Sequence, residues 1–419
     1  MILKKLPGRL HAEGNGFSRD NDLKIFASDF SAPPREIVFE CQHSWSAMKH
    51  LFNPLALVLS AMLAGIPALH AGITIDMVYV GDAGNPADQA YGTNPAFGSV
   101  GYGFAIGKYE VTNFEYAAFL NAVAAVEDTY SLYPATNNPS QAGNAKNILH
   151  PLTRGIVQSA VAGGFSYSVA ANMSDKPANF VTWFSAARFV NWMANGQLVG
   201  GQTGLTTENG AYTLNGTMSG GLSGNTTITR NLVNPNTSEA TAFWLPSEDE
   251  WYKAAYYDPG SVVETGTGYW LYATGNNTIP VVATATATGE IANPGENVAN
   301  YASGSTWNGQ AENLTTVGSA GALSASYYGT SDQAGNVWEW SEGIEKSATA
   351  RGLRQGSAND PAGAPFYLAA SFGNNGRPPD EYYWNAGFRI AAIPEPSAAA
   401  LLALAVIACL LARKFFASA

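Results

Sequence analysis

The sequence predicts a single α+β domain in which a few short helices and many short strands are joined by long loops. Three observations carry that prediction. Only 13% of the residues are charged, about half the ~25% usual for globular chains, and Gly, Asn, Thr and Ser fill the gap, a composition that favours turns. Three segments pair an N-capping hydroxyl with an apolar run of helical spacing. The rest of the domain reads as short apolar stretches punctuated by glycine and proline. There is no internal repeat and no clear linker in the 419 residues.

Taken in order, residues 1–47 carry no clear element. A secretory signal follows at 48–71, with Lys49 before an apolar run and small residues at the end. Translation is expected to start at Met48, which makes 1–47 a gene-model extension or a disordered stretch. A membrane anchor with a cytoplasmic tail is the alternative. The domain proper is expected over 72–392. "ITIDMVYVGDAGNPAD" (73–88) begins as an alternating strand and ends in a turn. "GYGFAIGKYEVTNFEYAAFLNAVAAV" (101–126) reads as a hairpin-like strand pair and then a helix. Thr112 and Glu115 form a capping box there, and Phe114, Ala117, Leu120 and Ala124 share a face. In 176–196, Thr182 caps a helix, Trp183, Ala187, Val190 and Ala194 form the buried stripe, and Gly196 ends it. Residues 197–240 read as a long loop with a small hairpin. A short strand, a capping box at Ser247 and Glu250, and a short helix fill 243–259. Residues 260–300 read as extended. Short strands and turns continue to 385–392.

The C-terminal segment, 393–419, places Pro394-Glu395-Pro396 before an apolar run from Ala398 to Ala412, then Arg413 and Lys414. That run is short for a spanning helix of about 20 residues, and the basic end puts the domain outside the membrane. The segment resembles the PEP-CTERM sorting signal of Gram-negative bacteria. The resemblance implies a transient inner-membrane anchor, processing by an exosortase, and release to the cell surface or extracellular matrix. A plain C-terminal anchor gives the same topology.

Charge and cysteines exclude several function classes. A net charge of −11 argues against nucleic acid as a partner, because phosphates demand a concentrated basic patch. The two cysteines, Cys41 and Cys409, lie outside 72–392, so that region has no thiol for catalysis, metal binding or disulfides. His150 is its one histidine, too few for a multi-histidine metal site.

Four segments in order, "GKYEVTNFEYAAFL", "PANFVTWFSAARFVNWM", "WLPSEDEWYKAA" and "DQAGNVWEW" followed by "RQGS" and "GFRIA", together resemble the formylglycine-generating enzyme (sulfatase-modifying factor) family. The resemblance covers nearly all of 73–392. It implies a variant of the C-type lectin fold. The family's enzymes use two cysteines that bind copper to oxidise a substrate cysteine. Here the corresponding stretch, "ANDPAGAPFYLAAS" (358–371), holds none; Asp360 and Pro365 stand near those places. Copper(I) selects soft thiolates, so no copper is expected, and the copper oxidase activity is not expected to survive.

The resemblance also implies calcium at 332–340, through the side chains of Asp332 and Glu339 and the carbonyls of Gly335 and Val337. A second set would use the Asn300 side chain and the Tyr301 carbonyl, with its remainder near 308–312. Hard oxygens, several from the backbone, are what calcium takes. The alternative is that Trp338 and Trp340 are core and Glu339 caps a turn. The acids of "PSEDE" (246–250) are explained by the capping box and by the helix N-terminus they occupy. Of Arg351, Arg354, Arg377 and Arg389, Arg377 is the best candidate for a groove contact and Arg389 for a buried framework residue. Tyr367, Phe372, Tyr382, Tyr383 and Trp384 can line a sugar or peptide site or can be core. The expected function is a calcium-stabilised binding or matrix protein whose partners are the exosortase-type machinery and a polysaccharide or protein ligand. The alternatives are an enzyme of different chemistry that uses Asp360, residual formylglycine-generating activity, or a purely structural component.

Overall fold

The capping signals place the helices of the computed structural model, which describes residues 72–90, 96–134, 155–222, 227–262, 266–309, 313–344, 348–373 and 375–394. All of these belong to the second of two compact units, Leu69–Ala419. The signal segment, the apolar run of the C-terminal segment, His150 and both cysteines lie outside the described residues. Among the described residues, no helix is long and apolar enough to cross a membrane.

Thr112 receives the Glu115 backbone N–H, the Glu115 carboxylate takes the Thr112 N–H at 2.7 Å, and helix α1 follows over Asn113–Val123. Its buried face is Tyr116, Ala117, Phe119, Leu120 and Val123. Phe114, predicted on that face, is 58% exposed. The helix opens at Asn113, whose buried side chain is bound to the carbonyls of Met173, Lys176 and Pro177, and this anchor turns Phe114 outward.

Thr182 caps helix α2, Trp183–Ala194, through the Ser185 N–H at 2.9 Å. Every residue from Trp183 to Met193 is buried, so the predicted stripe is one part of a helix enclosed on all sides. Its polar members are satisfied: Arg188 makes a two-bond pair with Glu208 at 2.6 and 2.8 Å. Phe189 packs with Tyr116, Phe119, Trp192 and Phe388 to form the main core. Helix α3, Glu248–Tyr256, carries a capping box like that of α1, at Ser247 and Glu250.

Strands β1 (Met77–Val80), β2 (Phe104–Gly107), β11 (Ala391–Ala392) and β5 (Phe243–Trp244) form one antiparallel sheet in the order β1-β2-β11-β5. The stretch 101–111 therefore supplies one strand rather than a local hairpin, and the partner of β2 is the distant β1. The hairpin of β3 (Ile156–Val161) and β4 (Gly164–Val169) has no counterpart in the sequence reading. In the extended region, β6 (Val281–Val282) and β7 (Val298–Ala299) pair in parallel.

A smaller sheet, β10-β8-β9, positions the site. Strand β8 (Trp338–Ile344) lies antiparallel to β9 (Arg351–Arg354) and parallel to β10 (Ala386–Gly387). Alternation along β8 sends Trp338 and Trp340 to one side and Glu339 to the other. Trp340 is fully buried and donates to the Val181 carbonyl at 2.8 Å.

Candidate functional site

The loop that enters β8 is curled by three left-handed residues, Asp332 at φ 62°, Gly335 at 95° and Asn336 at 63°. Gly335 is required there on two counts. Its φ disfavours other residues, and a Cβ would lie 2.3 Å from the Asn300 carbonyl oxygen. The Asn336 N–H donates to that oxygen at 2.8 Å. The Asn336 side-chain oxygen receives the Asn300 amide at 3.1 Å and the Thr315 N–H at 3.0 Å, and its nitrogen donates to Glu110 at 3.3 Å. The two predicted oxygen sets, at 300–301 and 332–339, thus share one wall. The Tyr301 carbonyl accepts the Gly304 N–H at 3.1 Å, and residues 310–312 lie outside the described residues.

Behind β8 sits a buried ionic network. Glu339 and Arg389 are both 0% exposed and form a two-bond pair at 2.6 Å each. Trp251 also donates to Glu339, at 2.8 Å. Arg389 spends its other donors on the carbonyls of Gly107 and Ser331. Glu110, 1% exposed, faces the same guanidinium, and half-buried Asp332 accepts the Gly318 N–H at 2.5 Å. Three carboxylates therefore surround one cation. Burial first, then the charges of Asp332 and Glu339, push Glu110 well above the usual carboxylate range. Desolvation pushes Asp332 up to about 6.

Among the described residues, Glu110 Oε2 and Asn300 Oδ1 are buried without a partner, and no N–H donates to the carbonyls of Gly335 or Val337. These orphaned atoms are hard oxygens, and the negative charge is in excess, so donor type and charge fit a calcium ion. Among the described residues, no three acidic, histidine or cysteine side chains are grouped closely enough to hold a metal by themselves. Both Glu339 oxygens are engaged by Arg389, so backbone and amide oxygens would supply much of the shell. Glu110 was missed in the sequence. The available signal was an acid at "YEV" immediately before a capping threonine.

On the other side of β8, Trp338 lines a cavity of about 300 Å³. Phe366, Tyr367 and Phe372 complete its aromatic wall, and Asp360, Asn375, Arg377 and Asn385 supply its polar groups. The Asp360 carboxylate receives the Ser357 N–H at 2.5 Å. Desolvation nevertheless pushes it up to about 6, against the bonds from Ser357 and Trp338. Gly356 makes this turn possible, because a Cβ there would meet Asp360 Oδ2 at 2.6 Å and Leu368 Cδ2 at 2.7 Å. Asn385 donates to Ser357 Oγ and Asn359 Oδ1 at 3.0 Å each.

The remaining predicted residues separate cleanly. Arg377 is exposed on the cavity rim, whereas Arg351 and Arg354 are buried. Arg351 stacks 3.9 Å from the Trp183 ring centre, and Arg354 pairs with Glu248 beneath the Phe372 carbonyl. In "PSEDE", Glu250 is held by Ser247, Trp244 and Tyr102, and Asp249 accepts the Gly98 N–H. Tyr367 and Phe372 reach the cavity. Tyr382 and Trp384 are buried, and Tyr383 packs near Trp340.

Residues 77–393 match the sulfatase-modifying factor enzyme 1-like domain. No curated protein matches the chain by sequence. Among solved structures, CarF is similar at 17% identity and a TM-score of 0.41, over 77% of this chain and 99% of that one. Treponema denticola variable protein 1 is similar at 16% identity and a TM-score of 0.37, over 77% and 96%. PvdO from Pseudomonas aeruginosa is similar at 15% identity and a TM-score of 0.36, over 76% and 94%.

Proposed function

This chain belongs to the sulfatase-modifying factor enzyme 1-like family, and from that premise we propose that it is a non-catalytic, calcium-stabilised binding protein of the cell surface or matrix. The observation that carries the binding reading is the cavity beside Trp338. It is a concave site in which four aromatic and four polar side chains converge, and 358–371 brings it no thiol. Asp332, Gly335, Val337 and Glu339 would hold the ion, with Asn300, Tyr301 and Glu110 beside them. Calcium would supply the charge that Glu110, Asp332 and Glu339 lack and would lock the loop that leads into Trp338.

Export rests on sequence: the signal at 48–71 and the sorting segment at 393–419, handled by exosortase-type machinery in a Gram-negative bacterium. Terminal peptides of the secreted protein test it, and a mature product that begins before Met48 or keeps Arg413 counts against it. The binding reading is tested by a screen of glycans, matrix polysaccharides and peptides, run with calcium and with a chelator. Binding in calcium, with no turnover of the ligand, is the expected result. Copper-dependent conversion of a sulfatase-type cysteine peptide by the purified protein would overturn the non-catalytic reading.

One observation favours a second reading, an enzyme of different chemistry. Asp360 lies in the cavity with its carboxyl pushed up to about 6, within the range that suits a general acid or base near neutral pH. If the screen uncovers turnover, Asp360→Asn should abolish it, and unchanged turnover in that variant removes Asp360 from the chemistry.

A further inference from the structure

We infer that the cavity beside Trp338 takes a sugar residue that carries a carboxylate, and that Arg377 reads the carboxylate. The inference rests on the binding reading above and narrows it to one ligand class. About 300 Å³ is at the lower end of small-ligand sites, enough for one ring-sized group. The wall offered to that ring is aromatic, with its rings inclined to one another by 45° to 83°. Tyr367 sits between Phe366 and Phe372, with ring centres 4.5 and 4.9 Å away, and Trp338 closes the row at 5.9 Å. One such ring face suits the C–H face of a pyranose, whose hydroxyls then meet the polar groups that share the cavity.

Those polar groups are present. Asn385 uses its amide nitrogen on Ser357 and Asn359, which leaves its amide oxygen as an acceptor. Asn375 adds a second amide. Arg377 differs from the other arginines of this segment. Arg389 and Arg354 are ion-paired, and buried Arg351 is held by the carbonyls of Glu342 and Ile228 and by a tryptophan face. Among the described residues, no carboxylate lies within ion-pair distance of Arg377, whose guanidinium sits 5.9 Å from the centre of the Tyr383 ring. An exposed guanidinium on the rim of a site, with no counter-ion, matches the planar two-bond geometry of a carboxylate.

An extended peptide is the competing carrier of a carboxylate. Peptides often bind by adding a strand to an open sheet edge. The edge that borders this cavity is closed. Arg351 and Arg377 exchange both backbone hydrogen bonds at 2.9 Å, and Asn375 donates to the Leu353 carbonyl at 3.0 Å. Among the described residues, no row of main-chain donors remains there for a peptide, so the recognition falls to side chains, as for a sugar.

The test is isothermal titration of the full chain, in calcium buffer, with glucuronate, glucose and N-acetylglutamate. Glucuronate should bind at least tenfold more tightly than either of the others. Arg377→Gln should bring glucuronate down to the level of glucose while the melting temperature stays unchanged, because Arg377 is exposed and its backbone bonds to Arg351 persist. Tyr367→Ala should weaken both sugars. Equal binding of glucose and glucuronate, or full glucuronate affinity in Arg377→Gln, overturns the assignment of the carboxylate and leaves the binding reading standing. Tighter binding of N-acetylglutamate overturns it in favour of a peptide. No binding of any probe overturns this inference, whereas the binding reading falls only if the wider screen is empty as well.

Discussion

Arg389 is the residue on which the buried network depends most. Among the described residues it is the one cation facing Glu339, Glu110 and Asp332, and it also ties down backbone carbonyls. Removing one partner of a buried pair strands the other's charge, at a cost of about 3–5 kcal/mol. Arg389→Met is therefore expected to lower the urea midpoint by that equivalent, and a loss below about 1 kcal/mol would show that the carboxylates are already neutral in the folded chain. Asp360 makes a prediction of opposite sign. Its folded value, about 6, lies above the ordinary 3.8. The folded state thus binds the proton more tightly, and the contribution is complete below the ordinary value and lost as pH rises through about 6. Asp360→Asn should flatten that fall. At pH 8 the variant should be the more stable by on the order of 1 kcal/mol, and at pH 4 no more stable than the parent. Denaturant melts at the two pH values check it.

At the level of elements, the helices were legible and the strand partners were not. A capping box is a local signal: hydroxyl and carboxylate three residues apart satisfy each other's backbone N–H whatever the rest of the chain does. All three predicted caps accept the expected backbone N–H. Ser247→Ala should cost about 1 kcal/mol, because Glu250 stays held by Trp244 and Tyr102 and only the hydroxyl's bond is lost. A thermal melt reads this, and a loss of several kcal/mol would mean that the whole start of α3 has moved. Strand pairing is non-local. Nothing near Phe104–Gly107 announces that its neighbours are Met77–Val80 on one side and Ala391–Ala392 on the other. The site divides in the same way. Residues in one loop, such as Asp332 and Gly335, could be grouped from sequence. Glu110 could not, because it is the fold that brings it to Asn336 and Arg389. Gly356 shows the same limit: its reason lies in Asp360 and Leu368. Gly356→Ala should cost about 1–3 kcal/mol through overpacking and displace Asp360 from Ser357, which a shift of the Ser357 amide resonance would report.

For the molecule as a whole, the question is what balances the buried acid. The chain carries a net charge of −11, and Glu110, Asp332 and Glu339 concentrate part of that excess around one arginine. A calcium ion that binds only the folded state stabilises it by RT ln(1 + [L]/Kd), about 2.7 kcal/mol at a hundredfold excess over Kd. The melting temperature of the full chain should therefore rise by several degrees in millimolar calcium and fall back when a chelator is added, with magnesium a weaker substitute because it demands a stricter octahedron. Glu110→Gln separates this from a general salt effect. It removes one negative charge while keeping the shape and the Asn336 contact, so the variant should be more stable than the parent in chelator and gain less from calcium. If parent and variant respond to calcium alike, the ion sits away from Glu110. If neither responds, the network is balanced by protons alone, and the curled loop from Asp332 to Trp338 stands without a metal.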